Sequence, residues 1–233
     1  MTQESDDDAR FWDKTAPSYS KSAVSDEAGY QRTLDRTASL LRPAHRVLEL
    51  GCGTGSTALR LADRVGEYLA TDISPQMIRI ATDKKPLPTN LEFHTATIAS
   101  LLTAARPEPD AATASPTTRS SFDVVLGFNY LHLVRDLPGT LKGIRALLRA
   151  DDHNGGGLLI TKTPCVGEMN PLLRLALPVM RAVGRAPYAA VFTAVELSAQ
   201  LEAAGFEVLE TETHASGGRD DHRPFIVARK KRA

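Results

Sequence analysis

The chain is poor in cysteine, carries no excess charge of either sign and contains no long uncharged apolar run. Each shortage removes a class of function. Its two cysteines, Cys52 and Cys165, lie far apart among 233 residues and suggest no disulfide framework. No cationic segment followed by an apolar stretch stands behind the acidic opening Asp6-Asp7-Asp8, so the sequence predicts a reducing, cytoplasmic setting. Lys plus Arg and Asp plus Glu number 28 each, a formal net charge of zero. Without surplus basic residues there is no field for non-specific phosphate binding, and no nucleic-acid partner is expected. The most apolar stretch, 171–192, is interrupted by Arg174, Pro178, Arg181 and Arg185. A spanning helix needs about 18 or more nearly uncharged residues, so no stable membrane insertion is expected. The acidic start and the basic run Arg229-Lys230-Lys231-Arg232 read as solvated tails.

What is present is globular: 42% of residues are hydrophobic and 24% charged. A chain of this length folding as one domain buries about three-quarters of its unfolded surface without staples. From Val47 onward short apolar runs alternate with segments of helical period, the pattern of parallel strands covered by helices. Strands are predicted at Val47–Leu50, Tyr68–Thr71, Leu91–His94, Phe122–Leu126, Gly157–Thr161, Phe206–Glu210 and Phe225–Ala228. Ala58, Leu61, Ala62 and Val65 recur at helical spacing after the glycines, with Ser56 or Thr54 as cap. Ser74-Pro75 reads as N-cap and first helical residue, with Met77, Ile78 and Ala81 facing inward. Leu137–Leu148 is predicted helical, and Thr193-Ala194-Val195-Glu196 is a capping box opening a helix that stops at Gly205. Residues 106–121, rich in Pro, Ala, Ser and Thr, read as a flexible insertion within a single domain covering 1–233.

The most informative segment is Glu49-Leu50-Gly51-Cys52-Gly53-Thr54-Gly55, directly after a strand and directly before a helix, with Asp72 ending the next strand. Glycines permit positive φ and let a ligand approach the backbone. An acid about 20 residues on can accept hydrogen bonds from ribose hydroxyls. The bland alternative is a tight turn with Asp72 capping the Ser74-Pro75 helix.

These residues resemble the class I S-adenosylmethionine-dependent methyltransferases, whose first motif E/D-x-G-x-G-x-G reads ELGCGTG here. The resemblance runs from Phe11 to the C-terminus. It is nearest to small-molecule enzymes related to the quinone-methylating branch, through Trp12, Asp13, Ala16 and Tyr19, the segment D-I-S-P-x-M-I after the second strand, and A-G-F near the end. It implies a Rossmann-like α/β fold, a seven-stranded mostly parallel sheet with its last strand antiparallel and helices on both faces. It also implies S-adenosyl-L-methionine as cofactor and S-adenosyl-L-homocysteine as product. Carried onto this chain, Gly51, Gly53 and the backbone at Cys52 border the methionine part, Glu49 and Gly55 are cofactor-binding positions of the same motif, Asp72 holds the ribose, and Ile73 and Met77 pack on adenine. Where the family often has an acid after the third strand, this chain has Thr97, so adenine recognition is expected to lean on the Ile98 amide and apolar packing. Phe128 belongs to the segment after the fourth strand that contacts cofactor. Tyr19 closes the pocket as part of an N-terminal lid, residues 1–35. A nicotinamide dinucleotide enzyme is the main rival, but G-x-G-x-x-G requires glycine where Ser56 stands, and no Tyr-x-x-x-Lys occurs.

Methyl transfer from a sulfonium needs alignment, exclusion of water and, for some acceptors, removal of a proton. His132 is the first candidate base, since its unperturbed pKa is near neutral; it could equally pack at the start of the following helix. Glu168 is a second candidate and Tyr19 a third catalytic position. Cys165 reads as a wall residue. Asp123, Asp151 and Asp152 sit at the wrong end of the sheet for a catalytic metal, and His153 and Asn154 read as turn residues. The apolar stretch 166–192, with Leu172, Leu173, Leu175, Ala176, Leu177, Val179, Met180, Val183, Tyr188 and Phe192, is predicted to cap the active-site mouth, with Arg174, Arg181 and Arg185 on one face. An apolar cap suggests a small, largely apolar acceptor. O-methylation is slightly favoured over N- or S-methylation; C-methylation of a quinone-like ring, or a non-methylating use of the sulfonium, are the alternatives.

Overall fold

Strand faces alternate, and that alternation divides the core in two. Residues 3–105, 121–150, 155–169, 171–182, 186–216 and 221–232 are described by a computed structural model. Among them seven strands form one sheet: β1 (Arg46–Leu50), β2 (Glu67–Asp72), β3 (Leu91–Thr95), β4 (Val124–Phe128), β5 (Leu158–Lys162), β6 (Phe206–Glu212) and β7 (Phe225–Lys230). Their order is β3-β2-β1-β4-β5-β7-β6. The first five are parallel, while β7 runs antiparallel to both β5 and β6. This is the expected Rossmann-like methyltransferase architecture.

Successive side chains on a strand point to opposite faces. Leu48, Leu50, Val125, Leu159 and Ile226 therefore join one buried cluster, and Val47, Val124, Leu126, Ile160, Phe225 and Val227 the other. The first cluster is covered by α5 (Ile98–Ala104), α6 (Leu137–Leu147) and α8 (Ala194–Ala203); the second by α2 (Glu27–Leu40), α3 (Ser56–Leu61) and α4 (Pro75–Asp83). Strands sealed on both faces carry near-continuous apolar runs, as β1 and β4 do.

The helix signals act through their predicted groups. Ser74 Oγ accepts from the Met77 N–H and Pro75 starts α4. Thr193 and Glu196 bond reciprocally at the start of α8. One cap differs: the N-cap of α3 is Gly55, left-handed at φ 77°, with no side-chain cap from Thr54 or Ser56. A Cβ at Gly55 would lie 2.6 Å from the Phe93 ring, so packing as well as backbone requires glycine there. The fourth strand is shifted two residues beyond its predicted start, because Phe122 makes only an isolated bridge to Leu148.

The termini are not simple tails. Gln3–Tyr19 forms α1, and Arg229 and Lys230 belong to β7, where Lys230 Nζ donates to the Leu148 carbonyl at 2.7 Å. α7 (Pro171–Ala182) exposes Leu172, Val179 and Met180. The expected insertion at 106–120, the residues Asp151, Asp152, His153, Asn154, Val183 and Arg185, and the side chains of Leu173, Arg174 and Leu175 lie outside the described residues.

Candidate active site

The carboxyl ends of β1, β2 and β4 and the start of α5 surround a cavity of about 700 Å³, within the range of small-molecule sites. Its floor is the glycine loop. Gly51 and Gly53 have φ of 68° and 54°, and a Cβ on Gly51 would lie 2.8 Å from Tyr130. The loop thus turns sharply beneath the Tyr130 ring while presenting backbone to the cavity.

Asp72 ends β2 and faces this cavity. Its Oδ2 accepts from the Gly53 N–H and its Oδ1 from the Ser74 N–H, both at 2.9 Å. Burial raises its pKa, and the Ser74 and Gly53 amides counter that rise. The two amides fix the carboxylate's orientation and leave its remaining lone pairs toward the cavity. Ile73, Met77 and Ile98 add apolar wall on either side. Thr97 also lines the cavity, but its hydroxyl accepts from the Ser100 N–H as the N-cap of α5, so it is engaged by the helix.

Helix α1 lies across the opening, tied at two points. Asp13 Oδ1 accepts from Ser74 Oγ and from the Gln76 N–H. Asp8 pairs bidentately with Arg135, at 2.9 Å for both bonds, and Arg135 stacks on Tyr188. Each side chain of the pair is about one-fifth exposed, which corrects the reading of Asp8 as part of a solvated tail. Trp12 and Tyr19 meet edge to face, and both line the cavity. Burial, then the Asp72 charge, raises the Tyr19 pKa. Phe128 lines the cavity and stacks on Phe225.

His132 sits on the 3-10 turn Leu131–Leu133 that follows β4 and lines the cavity. Its backbone carbonyl accepts from the Ala190 N–H at 2.7 Å, while its Nδ1 is buried with no hydrogen-bond partner. Burial lowers its pKa to about 4, so the imidazole is neutral at pH 7. A neutral ring with an open nitrogen can accept a proton.

Four predicted positions stand elsewhere. Glu168 lies outside the cavity lining: its Oε1 accepts from the Ala194 N–H at 2.7 Å, which commits the carboxylate to the first turn of α8. Gly55 serves the α3 cap. Cys52 and Glu49 face a second chamber behind the loop. Glu49 is buried, accepts from the Tyr68 hydroxyl at 2.9 Å, and has its pKa raised to about 7 by burial. Cys165 is buried in the core, and its thiol pKa is pushed up to about 12 by burial. None of the described residues of 166–192 lines the cavity; Phe192 and Val166 pack into the interior instead. Asp123 accepts from the Arg46 N–H and pairs with Arg149. Sequence reasoning missed Asp8 and Arg135, since the partners of an ion pair 127 residues apart leave no local signal.

Residues 25–211 match the family described as Methyltransferase domain. Fumosorinone synthetase of Cordyceps fumosorosea is 30% identical over 127 residues, 50% of this chain and 3% of the synthetase. The mitochondrial arginine-hydroxylase NDUFAF5 of Danio rerio is 31% identical over 183 residues, 78% of this chain and 51% of that protein. The chain thus spans about half, or far less, of the length of these relatives. Among solved structures, a DhpI–SAH complex matches with a TM-score of 0.67 at 18% identity, over 97% of both chains. That likeness concerns the fold.

Proposed function

The chain belongs to the class I S-adenosylmethionine-dependent methyltransferase family, and from that premise we propose that it transfers a methyl group to a small, largely apolar acceptor, with hydroxyl oxygen the favoured acceptor atom. The residues present fit the nucleoside. Asp72, oriented by two backbone amides, suits a pair of ribose hydroxyls; Ile73, Met77 and Ile98 suit a flat apolar base; and the left-handed Gly51 and Gly53 leave room for close approach to the backbone. The observation that carries the reading is the Asp72 carboxylate turned into the cavity by the glycine loop itself.

When bound, the nucleoside supplies a methyl group already activated on a sulfonium. The chain's own task is then positioning, exclusion of water and management of one proton. Helix α1, pinned by Asp13 at one side and by Asp8–Arg135 at the other, shields the cavity with Trp12 and Tyr19. The neutral His132 ring, part of the cavity wall, takes the proton of a hydroxyl acceptor. Proton transfer by a positioned base contributes about 10²–10⁴-fold.

The test is incubation with S-adenosylmethionine and matched phenol, amine, thiol and quinone acceptors, followed by mass spectrometry of the product. Methylated phenol, with turnover falling at least 100-fold in His132→Ala, is expected. Methylation confined to ring carbon would overturn the oxygen assignment while leaving the family activity intact.

A further inference from the structure

The apolar stretch expected to cap the active-site mouth faces solvent instead. Among the described residues seven large apolar side chains are exposed, and five of them, Leu172, Val179, Met180, Val191 and Val195, fall within 172–195. On α7 the spacing puts Leu172, Val179 and Met180 within about 100° of one another around the helix axis, and Arg181 about 180° from Leu172. That far side packs on the chain: the Arg181 guanidinium lies 5.1 Å from the centre of the Tyr188 ring, which Arg135 also covers. Helix α7 is therefore amphipathic and mounted with its apolar stripe outward.

The helix and the 188–195 stretch meet at both ends. Before α7, the 3-10 turn Val166–Glu168 bonds to that stretch: the Gly167 N–H donates to the Phe192 carbonyl at 2.9 Å, and Glu168 Oε1 accepts from the Ala194 N–H at 2.7 Å. At the other end Arg181 reaches Tyr188. The exposed side chains of the two segments thus belong to one patch, and an apolar patch of that kind marks an interaction surface where single exposed residues would not. Its charge is one-sided. Residues 169–195 carry Arg174, Arg181 and Arg185 and no Asp or Glu, in a chain of zero net charge.

Charge and area choose the occupant. A second copy docking through this face would set the same arginines against their own copies, with no acid in the segment to meet them. A stable protein interface takes about 800 Å² and 20–30 residues on each side, whereas the stripe from Leu172 to Met180 is only about 12 Å long. A bilayer surface fits both features, since an apolar stripe sinks among the headgroups while arginines of the polar face attract anionic lipid. We propose that α7 and the adjoining 188–195 stretch are a docking surface for an anionic lipid bilayer, on which the protein rests without spanning it. The docking goes beyond the methyltransferase reading and does not depend on it, although the patch adjoins that cavity: the Ala190 N–H donates to the His132 carbonyl, and Arg135 lines the cavity while stacking on Tyr188.

The experiment is flotation of the full chain, without cofactor, on vesicles of phosphatidylcholine alone and on vesicles of two parts phosphatidylcholine to one part phosphatidylserine. An arginine near an anionic surface strengthens binding about fivefold, so the mixed vesicles are expected to bind at least tenfold more tightly. High salt, which screens surface charge, is expected to erase that preference in the wild-type protein. Val179→Asp, at a position 66% exposed, is expected to weaken binding to the mixed vesicles at least tenfold with the melting temperature unchanged. The combined Arg174→Gln, Arg181→Gln and Arg185→Gln variant is expected to bring the two vesicle types within threefold of each other. Absence of vesicle binding, equal binding to both compositions, or a preference that survives salt and both variants would overturn the proposal. So would a concentration-dependent dimer of the free protein that Val179→Asp dissolves, since the face would then belong to a second copy.

Discussion

Replacing Asp72 by Asn removes one charge and one acceptor while leaving shape unchanged. Both carboxylate oxygens accept backbone N–H groups, from Gly53 and from Ser74, at 2.9 Å. An asparagine can satisfy only one of them, and its Nδ2 must meet the other donor against donor. Leaving a buried amide unpaired costs about 1–3 kcal/mol, so the unliganded protein should melt several degrees lower. The ligand loses more specifically: a ribose hydroxyl bonded to a carboxylate is worth about 1.5–3 kcal/mol, which corresponds to a rise in Kd for S-adenosylhomocysteine of about 10–150-fold. Calorimetric titration measures the second effect and thermal unfolding of the free protein the first. Because the two are read separately, a lowered melting temperature with unchanged Kd would show that Asp72 serves only the turn, and the ribose assignment would fail.

Other expectations follow from the same geometry. His132, its pKa depressed to about 4 by burial, stays a free base down to acid pH, so turnover should be flat between pH 6 and 8 as far as this group is concerned and decline only as pH approaches about 4. Its linkage to stability has the opposite reach: the unfolded ring protonates below about 6.5 while the folded one does not, so stability should fall between about pH 6.5 and 4, by on the order of 3 kcal/mol. His132→Phe should flatten that slope in urea titrations, and an unchanged slope would contradict the burial argument. Asp8→Ala, which breaks the bidentate pair with Arg135, should speed hydrogen exchange throughout α1 and raise the Kd for S-adenosylhomocysteine up to tenfold; unaltered exchange in α1 would mean that Asp13 alone holds the helix. Gly55→Ala meets both a left-handed backbone and a contact of 2.6 Å with Phe93, and should cost at least about 3 kcal/mol in denaturant unfolding.

Local signals were legible where one residue acts on its near neighbours. Ser74 before Pro75, the Thr193–Glu196 box and the glycines after β1 each announced a backbone event within a few residues, and each acts there. Strand faces were legible because burial on both sides leaves uninterrupted apolar runs. Side chains whose partner is remote were not. Glu168 looked available beyond β5, but the fold brings the α8 terminus to it. Thr97 aligned with a cofactor-binding acid, yet a hydroxyl beside a helix start also bonds its own amides, and here it does. Asp8 read as one of three acids in a tail until α1 carried it to Arg135. Lys162 and Arg223 pair through Asp221 because β5 and β7 lie side by side, which no spacing within either segment reveals.

The most direct measurement is calorimetric titration of the purified protein with S-adenosylhomocysteine and, in parallel, with NADH, since a glycine loop followed by an acid at the next strand end serves either nucleotide class. The account predicts micromolar binding of S-adenosylhomocysteine and none of NADH, with the affinity weakened in Asp72→Asn. Binding of NADH alone, or of neither, would contradict it.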